Sequence, residues 1–285
     1  MRQLGYYNGR VGELSEMMIP MNDRVCWFGD GVYEAAMARN GVIFAEDEHV
    51  DRFFNSASML EIDMPVTKPE LKALLADLIA RMDTGNLMVY CQVTRGGGPR
   101  MHCFPEGPSN LWVTLTPKEL NPATAPVALI TAEDTRFLHC NIKTLNLIPS
   151  VMANERAKRA GAYECVLYRP GGRVTECSHS NVHILRDGVF RTAPLDNLIL
   201  PGIARAHLIR ACGKLGIPVR EEPFTLEELR SADEIITSSS TNICVRANQL
   251  DGQPAGMKRQ ELFDALHEEV YREYFEATGG MDVMS

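Results

Sequence analysis

The chain has 285 residues, of which 45% are hydrophobic and 23% are charged, and its net charge is −8. These values are typical of a globular protein and exclude collagen, disordered chains and miniprotein scaffolds. Because the balance is acidic and neither sign of charge collects in a run longer than three residues, the composition argues against a surface for nucleic acid or anionic membranes.

The amino terminus lacks the apolar segment of a secretion signal, and no stretch approaches the ~18 apolar residues of a membrane span. Eight cysteines are scattered along the chain without a C-x-x-C pair. In a chain without an export signal, such cysteines are expected to be reduced thiols. We therefore expect a cytoplasmic protein that has no membrane partner.

The first elements follow from turn and capping residues. Asn8-Gly9 lies between short apolar segments and predicts a hairpin. A first helix is expected to turn Val50, Phe53, Phe54, Ala57 and Leu60 inward. The capping box Thr67-Lys68-Pro69-Glu70, followed by leucines at spacings of three and four, predicts a second helix. Two strands are then expected, at Leu87 to Thr94 and at Leu111 to Thr116.

A proline-rich segment predicts the domain boundary. Three prolines fall within residues 117–126, which disfavours both a helix and a central strand. We expect an N-terminal α/β domain at residues 1–117, a linker at 118–126 and a C-terminal α/β domain at 127–285.

Strands and helices are mixed in the second part, which predicts an α+β architecture. Helices are expected at about Pro149 to Arg159, at Ile203 to Leu215 and after the capping box that starts at Thr225. The expected strands are Val127 to Thr131, Glu164 to Tyr168, one around Val174, Val182 to Leu185, Val189 to Thr192 and Glu234 to Thr237.

Several common site motifs are missing or do not fit. The glycine clusters at Gly29-Asp30-Gly31 and Gly96-Gly97-Gly98 belong to neither a P-loop nor a dinucleotide-binding pattern. Along a strand, Cys177, His179 and His183 would span about 20 Å, too far for one zinc ion. We expect no metal site. The G-x-S-x-G elbow of a serine hydrolase is also absent.

Lys143 and Glu176 are the unusual charged residues. Lys143 lies in an otherwise apolar or small segment before a helix, and burial there would suit an amine nucleophile that forms a Schiff base. Glu176 is a single acid at the end of a strand. From the residues alone, the alternative that each side chain simply points to solvent stays open.

Eight short segments together carry a resemblance to a known family. The segments are Phe28–Glu34, Glu48–Arg52, Gln92–Gly96, Pro99–His102, Ile142–Asn146, Val174–Glu176, Ser180–Val182 and Ile199–Ile203. With them the chain resembles the fold-type IV pyridoxal-phosphate transaminases, and most closely the bacterial D-amino-acid aminotransferases. The resemblance covers about residues 6–255 and implies a two-domain α+β fold.

The resemblance implies pyridoxal 5'-phosphate as cofactor and assigns its contacts. Lys143 resembles the Schiff-base lysine, which is also the general acid and base, and Glu176 resembles the acid on the pyridine nitrogen. The remaining cofactor contacts that it implies are Arg52, the backbone of Ile203 and Ala204, and the hydroxyl of Ser240 for the phosphate, with Leu200 on the ring face.

The resemblance also implies how substrate and partner are bound. Tyr33, Arg100 and His102 match the group that binds the substrate α-carboxylate, with Arg100 and His102 reaching across from the partner subunit of a homodimer. The implied reaction moves an amino group from a D-amino acid, such as D-alanine or D-glutamate, to a 2-oxo acid, such as 2-oxoglutarate or pyruvate.

The chain departs from its relatives at three places near these residues. Cys177-Ser178-His179-Ser180 replaces Gly-Ser-Ser-Ser, alanine replaces a frequent threonine at position 204, and Pro201 replaces a lysine. We expect the change at Ala204 to remove a phosphate contact, and the bulk of His179 to alter cofactor affinity or the substrate pocket.

The sequence leaves other functions open. Within the same fold they are a branched-chain or (R)-amine transaminase and an aminodeoxychorismate lyase. From a different class, the alternative is a non-catalytic protein that binds the cofactor or has a structural role.

Overall fold

The computed structural model describes residues 2–280, which divide into two compact units. The first unit contains residues 2–120, 142–146 and 275–280, and the second contains residues 121–141 and 147–274. The chain first passes from one unit to the other after Leu120, which lies inside the segment expected to be a linker. The segment around Lys143 belongs to the first unit, whereas we expected it in the C-terminal domain, because its backbone pairs with a strand of the first unit.

The first unit is built on one antiparallel sheet. Among the described residues this sheet has six strands in the order β2-β1-β6-β5-β3-β4. The elements of this part of the chain are β1 (Leu4–Tyr7), β2 (Arg10–Glu13), α1 (Arg24–Phe28), β3 (Gly31–Arg39), β4 (Val42–Ile43), α2 (Glu46–Met59), α3 (Lys68–Ala80), β5 (Leu87–Thr94) and β6 (Asn110–Pro117).

The turn and capping residues produce the expected local structure. Asn8 and Gly9 both have positive φ angles between β1 and β2, as a tight hairpin turn requires. The Thr67 side chain accepts from the backbone N–H of Glu70, and the Glu70 carboxylate accepts from the backbone N–H of Thr67. This reciprocal cap begins α3 and confirms the predicted helix.

Helices α2 and α3 cover one face of the first sheet. Val50 and Phe53 of α2 and Leu71 of α3 pack against Val32 and Val89 of the sheet, and all five are buried. Successive strand residues point to opposite faces, so Tyr33 lies on the face away from this core. The two faces of β3 therefore meet different surroundings.

The second unit is built on a mixed sheet, which together with the first unit confirms the α+β prediction. Its order among the described strands is β12-β11-β10-β13-β14-β7-β8-β9, with β15 beside β14. The elements are β7 (Val127–Glu133), α4 (Ile148–Arg159), β8 (Glu164–Arg169), β9 (Arg173–Cys177), β10 (Asn181–Arg186), β11 (Val189–Thr192), α5 (Ile203–Lys214), β12 (Val219–Glu221), α6 (Leu226–Ser231), β13 (Glu234–Ser239), β14 (Asn242–Leu250) and β15 (Gln253–Pro254), followed by α7 (Gln260–Ala277).

None of the helices within residues 2–280 combines the length and apolar character needed to cross a bilayer.

A buried histidine joins three strands of the second sheet. His183 of β10 is fully buried, with its Nδ1 2.9 Å from Thr192 Oγ1 and its Nε2 2.8 Å from Ser238 Oγ. Burial, reinforced by the positive charge of Arg205, lowers the pKa of His183 from 6.5 to about 3. The folded protein therefore holds this imidazole neutral near pH 7.

We predict a specific loss of stability when the pH falls below 6.5. The unfolded chain protonates His183 near pH 6.5, whereas the folded chain does so only near pH 3, so the contribution to folding is complete above 6.5 and decreases below it. Between these values wild type should lose up to about 1.4 kcal/mol per pH unit more than His183→Gln, which keeps a donor and an acceptor. Urea unfolding of both proteins at pH 7, 6 and 5 measures this, and identical pH dependence would contradict it.

Candidate active site

Lys143 is held against β3 by backbone hydrogen bonds. The N–H of Tyr33 donates to the Lys143 carbonyl over 2.9 Å, and the N–H of Leu145 donates to the Gly31 carbonyl over 3.1 Å. A Cβ atom at Gly31 would lie 2.8 Å from Leu145 Cδ1 and 2.6 Å from the Val93 carbonyl oxygen, so the close approach of both segments requires glycine. The lysine segment is thus fixed at the start of β3.

The Lys143 side chain lies against an aromatic ring. It is half-buried, and its Nζ is 4.4 Å from the centroid of the Tyr33 ring. The Tyr33 ring in turn stacks on Tyr90, with centroids 5.6 Å apart. The ring face attracts the side-chain nitrogen and fixes its direction, and an oriented amine can act as a nucleophile or a base.

A buried ionic cluster lies on the other face of β3. The Glu34 carboxylate accepts from Arg52 Nε over 2.9 Å and from Arg52 Nη2 over 2.6 Å, and its Oε1 is 2.9 Å from His49 Nδ1. Burial alone would raise the pKa of Glu34, but Arg52 and His49 outweigh it and hold this pKa well below its usual range. Burial also lowers the pKa of His49. Arg52 therefore has its orientation fixed by a charged carboxylate.

Arg100 and His102 meet on one ring of α1. Both residues are exposed in the loop between β5 and β6. The His102 ring centroid is 5.3 Å from that of Phe28, and Arg100 Cζ is 5.5 Å from the same centroid. The loop therefore presents a guanidinium and an imidazole side by side, a pair that can bind a carboxylate.

In the second unit, Glu176 is the centre of a buried hydrogen-bond network. Its Oε1 accepts a hydrogen bond from Arg136 Nη1. Its Oε2 accepts two hydrogen bonds of 3.0 Å, one from Asn181 Nδ2 and one from the backbone N–H of Leu200. Arg136 also donates from Nε to Asp134 Oδ1 over 2.9 Å. The alternative of a solvated Glu176 is wrong, since only 6% of the residue is exposed.

The charges of this network oppose the cost of burial. Burial raises the pKa of Glu176, and the Arg136 guanidinium reduces this rise without cancelling it. The pKa of Arg136 is raised because Glu176 and Asp134 outweigh its own burial. A carboxylate held in this way can accept a hydrogen bond from a ring N–H and favour its protonated form.

The start of α5 has the features of an anion site. Ile203 and Ala204 are its first residues, and the preceding Gly202 provides no side-chain cap for their N–H groups. Uncapped N–H groups at a helix N-terminus bind anions such as phosphate. A Cβ atom at Gly202 would overlap Asn181 Oδ1, so glycine also keeps Asn181 in place against Glu176. Ser240 lies half-buried in the turn between β13 and β14.

The loop after Glu176 is held by a buried acid. Glu164 is fully buried and accepts from the Ser178 hydroxyl over 2.9 Å and from the His179 N–H over 2.7 Å. The His179 ring is about half exposed, with Nδ1 3.4 Å from Glu164 Oε1. His179 stands where relatives have serine, and its bulky ring is directed toward Glu164. The effect expected of His179 on the cofactor stays a prediction.

Sequence reasoning missed the partners of the site residues. An acid in the apolar strand that contains Tyr33 was a usable signal for Glu34, because an isolated charge in a buried strand needs a partner. Asn181 stands in a segment already noted for its resemblance. Arg136 lies in an irregular segment, and no local pattern indicates that it pairs with Glu176.

Comparisons with known proteins agree on one family. Residues 31–250 match the family described as amino-transferase class IV. The chain is 40% identical over 284 residues to a D-alanine aminotransferase of Listeria monocytogenes, covering 96% of this chain and 97% of the relative. It is 38% identical over 264 residues to a D-alanine aminotransferase of Bacillus licheniformis, covering 88% and 89% of the two chains.

Solved structures share the fold. A branched-chain aminotransferase from Thermoproteus uzoniensis superposes with a TM-score of 0.89 at 24% identity, covering 99% of this chain and 97% of the other. A branched-chain amino acid aminotransferase from Escherichia coli superposes with a TM-score of 0.88 at 20% identity, covering 100% of this chain and 98% of the other.

The contact between Gly202 and Asn181 generates a prediction. Gly202→Ala should displace Asn181 and destabilise the fold by about 1–3 kcal/mol, because the added methyl group has no space. Gly213→Ala is the matched control in the same helix, since its Cβ would meet nothing within 4 Å. That control should be neutral or stabilising by up to about 1 kcal/mol through helix propensity.

Thermal unfolding of the two variants and wild type measures the difference. Equal melting temperatures for the two glycine variants would show that the packing of Gly202 against Asn181 does not matter for stability.

Proposed function

The chain belongs to the class IV aminotransferase family, and from this premise we propose that it transfers the amino group of a D-amino acid to a 2-oxo acid. D-Alanine and D-glutamate are the proposed donors, and 2-oxoglutarate and pyruvate are the proposed acceptors. The observation that carries the proposal is 40% identity to a D-alanine aminotransferase over 96% of the chain.

Pyridoxal 5'-phosphate is the proposed cofactor, and the donor set of each unit fits it. A half-buried amine, a buried carboxylate and an uncapped helix start match its aldehyde, its ring nitrogen and its phosphate. Arg52 and Ser240 are the further proposed phosphate contacts, and Leu200 is proposed to pack on the ring. That these residues serve one cofactor molecule rests on the resemblance to the family.

In the proposed reaction, each residue of the site has a separate role. When bound, the cofactor provides an electron sink for the electron pair left on the substrate α-carbon. Lys143 Nζ would take the proton from the substrate α-carbon and deliver it to the cofactor carbon that receives the amino group, C4′. Glu176 holds the proton on the ring nitrogen, and Arg136 and Asn181 fix the direction of the carboxylate. The stack on Tyr90 keeps Tyr33 beside the lysine.

Recognition of the substrate carboxylate is the proposed basis of stereoselectivity. Tyr33, Arg100 and His102 fix the α-carboxylate, so the α-hydrogen of the D-enantiomer faces Lys143. Arg100 and His102 are proposed to act across a homodimer interface, as the family resemblance implies. A cytoplasmic location is part of the proposal, and free thiols at all eight cysteines fit a reducing compartment.

The alternatives within the fold make different demands on the substrate. A branched-chain transaminase would prefer L-leucine or L-valine, an (R)-amine transaminase would accept donors without a carboxylate, and an aminodeoxychorismate lyase would release pyruvate by elimination. The family relatives at 40% identity favour the D-amino-acid transaminase over these alternatives.

A panel of donors tests the proposed function. The holoenzyme should transfer amino groups from D-alanine to 2-oxoglutarate, and from D-glutamate to pyruvate, at least about 100-fold faster than from the L-enantiomers, because a misplaced α-hydrogen costs several kcal/mol in the barrier. Chiral chromatography of the amino-acid products measures the ratio. Preference for L-leucine or L-valine over every D-amino acid would overturn the proposal.

Removal of the amine tests the role of Lys143. Lys143→Ala should lose the visible absorbance of the bound cofactor and reduce turnover by about 10⁴-fold or more, since both nucleophile and proton carrier are gone. Lys158→Ala, at an exposed position of α4, is the matched control and should behave as wild type. Transamination near the wild-type rate in Lys143→Ala would contradict the assignment.

A further inference from the structure

The loop that carries Arg100 and His102 has little regular structure of its own. Between the end of β5 and the start of β6 it leaves the sheet, and Arg100, Met101 and His102 are exposed. A flexible loop would bind a carboxylate weakly, because fixing it on binding costs conformational entropy. The loop must therefore be held by contacts from elsewhere in the unit.

Arg24 of α1 provides these contacts. Arg24 is only 4% exposed. Its Nη1 donates one hydrogen bond of 2.7 Å to the Met101 carbonyl and one of 3.2 Å to the Cys103 carbonyl. Those two carbonyls stand on either side of His102 in the chain. One guanidinium therefore fixes the loop backbone where the carboxylate-binding side chains start.

The ring of Phe28 lies close to Arg24 and to two side chains of the same loop. Arg24 Cζ lies 4.8 Å from the Phe28 centroid, and Arg100 Cζ lies 5.5 Å from it. The His102 ring is 5.3 Å away. Cations favour the face of an aromatic ring, so Phe28 orients Arg100 without using its hydrogen-bond donors.

Ion pairs also hold the beginning of the loop. Asp30 accepts from Arg24 Nε over 2.7 Å and pairs with Arg95 Nε at 3.0 Å. One carboxylate thus links two guanidiniums and joins Arg24 to Arg95 at the start of the loop. Arg95 further donates to the carbonyls of Leu60 and Glu61, which ties the beginning of the loop to the end of α2.

We propose that Arg24 is a positioning residue for substrate carboxylate binding, because it holds the backbone of the loop that presents Arg100 and His102. The inference rests on the proposed function, in which those two residues bind the α-carboxylate. Arg24 itself touches neither substrate nor cofactor in this role. Its effect is on the affinity for the carboxylate, with the chemical step left to other residues.

Steady-state kinetics of the holoenzyme with D-alanine and 2-oxoglutarate test the inference. Arg24→Met and the milder Arg24→Lys should raise both KM values about 10-fold or more, since methionine donates no hydrogen bond to the loop backbone and the ammonium of lysine lacks the fixed fork of the guanidinium. The kcat at saturation should stay within about threefold, and the visible spectrum of the bound cofactor should not change, because Lys143 and its surroundings are intact. Arg159→Met removes an exposed arginine of α4 and should leave both KM values unchanged.

The outcomes separate this inference from the proposed function. If Arg100→Ala raises the KM values and Arg24→Lys does not, the positioning role is wrong and the proposed function stands. If kcat and the cofactor spectrum of Arg24→Lys fall while the KM values hold, Arg24 is merely structural. If Arg100→Ala itself leaves the KM values unchanged, carboxylate binding by this loop fails. Phe28→Leu repeats the test should Arg24→Met not fold, and it should raise the same KM values.

Discussion

The pairing of Glu176 with Arg136 is the interaction on which the proposed chemistry of the second unit depends. Burial of Glu176, which is 6% exposed, favours the neutral acid, whereas the proposed role at the ring nitrogen of the cofactor requires the carboxylate. Arg136 opposes this tendency and is itself held by Asp134. The other oxygen of Glu176 accepts from Asn181, whose position depends on the missing side chain of Gly202.

Much of the fold was predictable because short-range signals dictate it. The Asn8-Gly9 turn and the Thr67 capping box each fix one element within a few residues, and the structure has both. Helix α7 was not predicted, although its buried residues Phe263, Leu266, Val270 and Tyr274 recur at helical spacing. The pairing of the Lys143 segment with β3 was not predictable, since it joins residues more than a hundred positions apart.

In the candidate site, too, roles that depend on short segments were predictable, whereas contacts between distant segments were not. Resemblance to a family assigned roles to Lys143 and Glu176, and the structure shows how each is oriented. Long-range contacts, such as Arg136 with Glu176 and Arg24 with the Met101 carbonyl, depend on the folded arrangement of irregular segments. No periodicity or spacing encodes them, because the partners belong to different elements and the intervening chain has no fixed length requirement.

The alternation of β3 limits how this protein can change during evolution. Tyr33 points toward Lys143, and its neighbour Glu34 points toward Arg52 and His49 on the opposite face. Inserting or deleting one residue in β3 would exchange these faces, placing an acid beside the lysine and a phenol among the buried charges. Single substitutions leave the two faces of this strand in place, but a change in its length moves Tyr33 and Glu34 to the wrong faces and disrupts the site. Insertions and deletions should therefore be found in the loops of homologous chains and be absent from this strand.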